Sequence, residues 1–380
     1  MALRILVINP GSTSTKTALF SDERELARDN ISHRVEELAA FARVGDQLEM
    51  RKTRILAFLA RQGHAPAELS AVVGRGGLLA PIEGGTYRVN EAMLRDLHAA
   101  ERGEHASNLG AIIAHAIAQP AGKPAFIVDP VVVDELAPPA RLSGLAGLPR
   151  VSIFHALNHK SVARQAAATL GKDYGACHLV VAHLGGGISV GAHASGRVID
   201  VNQALNGEGC FSPERAGTLP SWDLAQLAFE HADGAERRKT LQKMICGKGG
   251  LVSYLGTNDL REAWARADSG DEQAHLVIEA MAWQISKDIG AMAAVLGGRV
   301  DAVVLTGGLA HDQRLTERIR QHVGWIGEVL VVPGEAEMEA LCEGALRVLR
   351  GEERARAYEP ETDEQRETIS SERCLREHLR

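Results

Sequence analysis

Residues 3–20 read LRILVINPGSTSTKTALF. The apolar run Ile5-Leu6-Val7-Ile8 has the length and β-branched content of a buried strand. It ends at the polar Asn9, and Pro10-Gly11 then lets the chain reverse so that Thr15–Phe20 returns as a second strand. The turn between them gathers backbone N–H groups, the hydroxyls of Ser12 and Ser14 and the ammonium of Lys16. Such a group of donors beside a positive charge suits a phosphate. A plain hairpin with a Ser/Thr-rich turn has the same appearance, and the spacing matches neither GxxxxGK[ST] nor GxGxxG. The rest of the chain decides between the two.

A second stretch repeats the plan. Leu179 to Val190, LVVAHLGGGISV, is again an apolar strand, a polar residue (His183), one intervening residue, a glycine-rich turn (Gly185-Gly186-Gly187) and a return strand. The shared order points to two related α/β domains, each offering a phosphate-binding hairpin to a cleft between them. We expect the first over residues 1–149, completed by a C-terminal helix over 336–380, and the second over 150–335.

Composition sets the limits. With 380 residues, 45% hydrophobic and 24% charged, the chain has room for two globular domains. A net charge of −7 and an aromatic content of 4% argue against nucleic-acid and membrane partners. The five cysteines are scattered and form no CxxC, so neither a disulfide framework nor a zinc site is expected. No apolar run approaches membrane-spanning length. The start of the chain leaves no room for a signal peptide, and the expected setting is the cytoplasm.

Other polar residues stand where strands or turns would present them. Arg75 follows the strand-like Ala71-Val72-Val73-Gly74 and precedes Gly76-Gly77, a setting for a guanidinium that binds carboxylate or phosphate. His105 precedes a helix with Ser107 or Asn108 as its cap, and Asp129 ends the strand Phe126-Ile127-Val128, where open α/β sheets bind ligands. His155 and His159 flank the start of another helix, capped by Asn158 or Ser161, with one of the two catalytic and the other structural. Arg215 lies in the turn-rich 206–220 segment, and Gly307-Gly308 follow a strand, where a nucleotide can cross bare backbone. Glu335, Glu337 and Glu339 include a carboxylate suited to the metal of a magnesium–nucleotide or, equally, helix-start glutamates. The charged segment after Gly351 reads as a surface helix or a loosely held tail.

With these residues in view, the chain resembles the acetokinase family. The resemblance is carried by VINPGSTSTKTALF (7–20), VVGRGGLLAPIEGGTYRVN (72–90), EHASNLGAIIA (104–114), FIVDPVVVDEL (126–136), FHALNHKSVAR (154–164), VAHLGGGISVGAH (181–193), ERAGTLP (214–220), VLTGGLAHD (304–312) and PGEAEMEAL (333–341). It implies the duplicated two-domain actin-like ATPase fold of sugar kinases, actin and Hsp70, with an interdomain nucleotide cleft. It also implies ATP- and Mg²⁺-dependent, reversible phosphorylation of a short-chain carboxylate to an acyl phosphate. By family position, Arg75, His155, Arg215, Asp129 and His105 would be catalytic. Asn9, Ser12, Ser14, Lys16, His183, Gly185–Gly187, Gly307 and Gly308 would hold ATP or ADP, and Asn9, Asp129, Glu335 or Glu337 would serve the metal. Arg75-Gly76-Gly77 and His105-Ala106-Ser107-Asn108 depart from the acetate kinase pattern and point to the butyrate kinase branch. Acetate, propionate and branched-chain acids are the alternative substrates, and a non-catalytic nucleotide-switched module is the alternative class. A homo-oligomer is expected.

Overall fold

The computed structural model describes residues 2–230 and 234–360. They fall into two compact units. The first comprises the described residues up to Asp134, Leu145–Leu148 and those from Ala336 onward; the second comprises Glu135–Gly144 and Pro149–Glu335. The chain thus changes unit after Asp134, earlier than the expected bound at residue 149, and returns through 145–148 before the second unit is built.

The first unit opens with β1 (Arg4–Pro10), β2 (Ser14–Ser21) and β3 (Arg24–Ser32), an antiparallel meander. Next come β4 (Ala71–Arg75), β5 (Thr86–Arg88) and β6 (Ala125–Val128). β4 is parallel to both β1 and β6, and β5 is antiparallel to β6. Ile5, Leu6, Val7 and Ile8 are fully buried. Each such side chain contributes about 1.5–3 kcal/mol of burial, which is why this run anchors the sheet.

The second unit repeats the arrangement with β7 (His178–Leu184), β8 (Ile188–Ala194) and β9 (Arg197–Val201) as its meander and β10 (Ala302–Gly307) and β11 (Glu328–Pro333) as parallel additions. Its five-stranded order is β11-β10-β7-β8-β9. A final short strand, β12 (Arg356–Ala357), joins β5 and completes the seven-stranded order β12-β5-β6-β4-β1-β2-β3. The inner part, β6-β4-β1-β2-β3, has the order and directions of the second sheet, so the sequence repeat is a structural duplication.

The helices pack on these sheets. Asn108–Ala118 lies directly on β4: a Cβ on Gly74 would come 2.1 Å from the Gly110 carbonyl oxygen, and one on Gly110 2.1 Å from that of Arg75. Only glycines allow this approach, and it seats Arg75 at the end of β4. In the second unit, Glu272–Val295 buries Ile278, Met281, Ile285 and Ile289 against its sheet, as their three- and four-residue spacing predicts.

Local expectations fail in three places. Residues 35–61, whose apolar spacing (Leu38, Phe41, Ile55, Leu59) predicts helix, form two helices, Val35–Leu38 and Leu48–Arg61, with Asp46 between them turned back to accept from the Arg43 backbone N–H at 2.9 Å. Residues 248–257, glycine-flanked and loop-like in sequence, contain a short helix, Gly250–Leu255, held by buried Leu251 and Leu255. Residues 351–360 are not loosely held. Tyr358 is 1% exposed, its hydroxyl donates to Asp96, and its carbonyl accepts from Asn90 Nδ2 at 2.8 Å. The expectation for 361–380 lies outside the described residues.

Candidate active site

In the first unit, the β1–β2 register pairs Asn9 with Lys16 and Pro10 with Thr15. Gly11 N–H closes the turn on the Ser14 carbonyl at 2.8 Å. The turn's carbonyls are gathered from behind by a residue the sequence reading passed over. Arg51, 1% exposed, donates from Nη1 to the carbonyls of Gly11 and Ser14, each at 3.0 Å, and from Nη2 to that of Ser12 at 3.3 Å. It also donates to Thr15 Oγ1 and to Gln47 Oε1, one turn earlier on its own side. No carboxylate is among these partners. Burial, and then the charge of Arg54, pushes its pKa down to about 10, so it stays cationic at neutral pH. The signal was present: Arg51 lies four, seven and eight residues before Ile55, Phe58 and Leu59 on the buried face of its helix.

Asn9, Ser12, Ser14, Lys16, Arg75, His105 and Glu337 together line a cavity of about 200 Å³. Arg75 Nη1 lies 2.6 Å from Glu337 Oε1, and Glu337 Oε2 accepts from Asn9 Nδ2 at 2.7 Å. Glu337 begins the helix Glu337–Leu349, where the helix dipole favours its charge. Ser107 does not cap its helix with its side chain. Its N–H donates instead to His105 Nδ1 at 3.2 Å, with its hydroxyl 2.8 Å from the same nitrogen. Asn108 is likewise spent on Leu78 N–H and the Gly103 carbonyl. With Nδ1 accepting a backbone N–H, a neutral His105 carries its proton on Nε2. Burial, then the nearby Arg75, lowers its pKa and keeps it neutral. Asp129 does not line this cavity. It is 1% exposed at the end of β6, with φ at 38°, and its Oδ1 accepts from Gly85 N–H at 2.7 Å.

In the second unit the helix begins at Ala156, one residue after His155, so neither Asn158 nor Ser161 caps it. Asn158 turns to the strand ends instead. Its Nδ2 donates to the Glu335 carbonyl at 3.1 Å, and its Oδ1 lies 2.7 Å from His183 Nδ1. Nδ1 is therefore the protonated nitrogen of a neutral His183. The His183 ring stacks on that of His155, centroids 3.8 Å apart and planes 9° apart. His155 Nδ1 and His159 Nε2 each lie 2.9 Å from the one hydroxyl of Ser189, which the β7–β8 register pairs with His183. Both histidines are thus engaged by hydrogen bonds.

The Arg215 loop is pinned by its backbone: Arg215 N–H donates to Ser212 Oγ at 3.1 Å, and Ala216 N–H to the Ile245 carbonyl at 2.9 Å. Its guanidinium lies on Gly187, where a Cβ would fall 1.5 Å from Nη1. Burial lowers its pKa, opposed by Cys246 and Glu214. Gly185, Gly186, Gly308 and Glu335 line a second cavity, of about 730 Å³, with Asn258, Asp259, Arg261 and Asp312. Gly307 does not line it and instead exchanges backbone hydrogen bonds with Gly334. In the second cavity's lining, Asn258-Asp259 has the sequence of a helix-capping pair, and Asp259 is the N-cap of its helix, accepting from Arg261 N–H. A groove of about 830 Å³ along Gln313–Val323 holds none of the expected residues.

The donor set suits a hard cation. Within the first unit Asp129 and Glu337 carry carboxylate oxygens, and Asn9, whose amide nitrogen is committed to Glu337, has only Oδ1 to offer; the second unit carries the carboxylate of Glu335. Among the described residues, no group of three or more His, Cys, Asp or Glu is placed to hold a metal. Magnesium carried by nucleotide phosphates needs only one or two protein carboxylates, so the residues fit that ion as part of a magnesium–nucleotide. None of the helices among the described residues is long and apolar enough to cross a membrane. Cys177, Cys210, Cys246 and Cys342 form no disulfide.

Comparison with solved structures gives the class. The chain has the fold of Porphyromonas gingivalis acetate kinase, with a TM-score of 0.75 at 20% identity over 91% of this chain and 100% of that one. It is similarly matched by Entamoeba histolytica acetate kinase (TM-score 0.73, 14% identity, 91% and 100% covered) and by a propionate kinase from Francisella tularensis (0.66, 20%, 90% and 98%). The duplicated sheets are those of an actin-like ATPase fold. The profile of the Acetokinase family matches residues 146–338, just over half of the chain. The chain belongs to the Acetokinase family.

Proposed function

We propose that the protein transfers the γ-phosphoryl group of ATP, reversibly, to the carboxylate of a short-chain fatty acid, with butyrate as the preferred acceptor. The carrying observation is the 200 Å³ cavity, where Arg75, Lys16, three serines (Ser12, Ser14 and Ser107) and the neutral His105 converge and the one lining carboxylate, Glu337, is already paired. Such a set receives anions. The solved acetate and propionate kinases of the same fold, and membership in the family, support the reaction class. The sequences Arg75-Gly76-Gly77 and His105-Ala106-Ser107-Asn108 support butyrate.

A carboxylate is ionised at neutral pH, so no general base is needed. Its oxygen attacks the γ-phosphorus, the bond to the β–γ bridging oxygen breaks, and ADP leaves with that electron pair; no proton is released. The obstacle is repulsion between two anions, which positioning and charge neutralisation must overcome. In this reading Arg75 holds the carboxylate, with His105 donating to it from Nε2. Arg215 neutralises the phosphoryl group in flight, and His155 donates a hydrogen bond to one of its oxygens. Lys16 and the Ser12–Ser14 turn receive phosphate. Gly185–Gly187, Gly307 and Gly308 let the nucleotide pass close to the backbone, and the 730 Å³ cavity takes its nucleoside. Magnesium arriving with the nucleotide would neutralise the β- and γ-phosphates, with Asp129 and Glu335 or Glu337 to hold it and Asn9 to order its waters.

The test is a ladder of acids, from acetate through propionate, butyrate and isobutyrate to valerate, with ATP and magnesium and with the acyl phosphate trapped as hydroxamate. The highest kcat/KM is expected on butyrate. A maximum elsewhere transfers the assignment to that acid, and no hydroxamate with any acid overturns the kinase reading. We also propose a cytoplasmic homo-oligomer that covers the exposed Leu276 and Trp283 of the long helix, which light scattering of the purified protein tests.

A further inference from the structure

A chain of polar side chains runs inward from His155 through the core of the second unit. Ser189 Oγ lies 2.9 Å from His155 Nδ1 and 2.9 Å from His159 Nε2. His159 Nδ1 lies 3.3 Å from His193 Nε2, and His193 Nδ1 lies 2.9 Å from the Tyr174 hydroxyl. His159 and His193 are fully buried, and Tyr174 is half-buried. Desolvation above all holds both inner histidines well below the ordinary imidazole pKa. The neighbouring His193 and His155 add to this for His159, and Lys160 and Arg164 add to it for His193. Each inner ring is therefore neutral and carries one N–H.

A neutral imidazole donates at one nitrogen and accepts at the other, and a serine hydroxyl has one proton to give. Both rings could donate to Ser189, but its buried hydroxyl proton would then have no acceptor, since His155 and His159 are its partners. With that proton used, every link of the chain runs in the same direction, and two directions remain. In one, Tyr174 donates to His193, His193 to His159, His159 to Ser189 and Ser189 to His155 Nδ1, so a neutral His155 carries its proton on Nε2. In the other, all links reverse, Tyr174 accepts, and a neutral His155 has a lone pair on Nε2. Tyr174 decides between them. Lys160 and Arg164 stand 6.0 and 5.4 Å from its ring centroid, and cations beside a phenol strengthen it as a donor.

We infer that Tyr174 and His193 are positioning residues that act through His159 and Ser189 to hold His155 as the neutral Nε2–H tautomer, a hydrogen-bond donor. The role rests on the proposed phosphoryl transfer for its use, since an Nε2 lone pair would repel a phosphoryl oxygen, but the tautomer can be read without catalysis. Neither residue touches the reacting atoms.

The experiment is ¹⁵N NMR of histidine-labelled full-length protein at pH 8, without ligands, on wild type, Tyr174→Phe and His193→Gln, with His155→Asn to assign the resonances. Wild-type His155 is expected to show a pyrrole-type Nε2 and a pyridine-type Nδ1. Tyr174→Phe removes the terminal donor from a half-buried position and should fold. It is expected to shift His155 toward the Nδ1–H form, and to lower kcat by about tenfold with the nucleotide KM unchanged, the loss of one positioned hydrogen bond. An Nδ1–H tautomer in wild type, or an Nε2–H tautomer unchanged in Tyr174→Phe, overturns the inference whatever the kinetics. The expected tautomers in a protein that makes no acyl phosphate would sink the kinase reading and leave the relay standing.

Discussion

Arg75 Nη1 meets Glu337 Oε1 at 2.6 Å across 262 residues of sequence, while the other oxygen of Glu337 is held by Asn9. One carboxylate at a helix start thereby fixes both the guanidinium and the end of β1. If Arg75 binds the substrate carboxylate, Arg75→Ala should lower turnover by about a thousandfold, the scale of an arginine in phosphoryl transfer. Glu337→Gln should act more mildly and raise the carboxylate KM, since Arg75 remains but is no longer aimed. Near-normal turnover in a folded Arg75→Ala protein would remove Arg75 from the mechanism.

Gly187→Ala tests the seat of Arg215. The new methyl would meet the tip of the Arg215 side chain, at 1.5 Å from Nη1, and break its bond to the Ala204 carbonyl, so the fold should survive with a stability loss of about 1–2 kcal/mol. The guanidinium must move aside, and a displacement near 1 Å costs about a hundredfold in turnover. Arg215→Ala should cost about a thousandfold. Steady-state kinetics together with urea melts separate the two effects; unchanged turnover in Gly187→Ala would mean that Arg215 does not act from this position.

Arg51→Met keeps the side-chain volume and removes every donor beneath the opening turn. The carbonyls of Gly11 and Ser12 then lose the guanidinium, while that of Ser14 keeps the Gly11 N–H; for these part-buried groups the loss is about 1 kcal/mol for each bond removed. A lowered urea midpoint is expected, along with an ATP KM raised more than kcat is lowered. Wild-type stability would show that the turn holds its shape without the guanidinium.

Acid should weaken the same region. His33 donates to Thr15 Oγ1 and accepts from Arg54, and burial, then Arg51 and Arg54, holds its pKa at about 4. Unfolded, it titrates near 6.5, so between these values the unfolded chain binds more protons than the folded one, and stability rises with pH. His33 should therefore cost up to about 3 kcal/mol of stability as pH falls from 6.5 to 4. Buried His159 and His193 act with the same sign. His33→Gln should flatten the pH dependence of urea unfolding over this window; an unchanged slope would place the acid sensitivity elsewhere.

The duplicated hairpins were legible because an apolar run, a polar stop and a Gly-rich turn are local signals, and strand period and turn chemistry act within about ten residues. Arg75 was legible for the same reason, since the glycines that expose it are its neighbours in sequence. The helix caps were misread because Ser107, Asn108 and Asn158 have the right chemistry for a cap but find better partners elsewhere: His105, Leu78 N–H and the Glu335 carbonyl. Residues 351–360 were misread because a charged composition hides the single buried Tyr358 that docks them.

By itself, then, the sequence determined two homologous α/β hairpin units, a set of arginines and histidines on their loops, and the family to which they belong. The tertiary structure decided what those residues are tied to: Arg51 under the opening turn, Glu337 on Arg75, Arg215 on Gly187 and the histidine chain behind His155. The reason is physical. Strands and turns follow from interactions between near neighbours, whereas a buried polar side chain must take whatever partner packing brings within about 3 Å. That partner can lie hundreds of residues away.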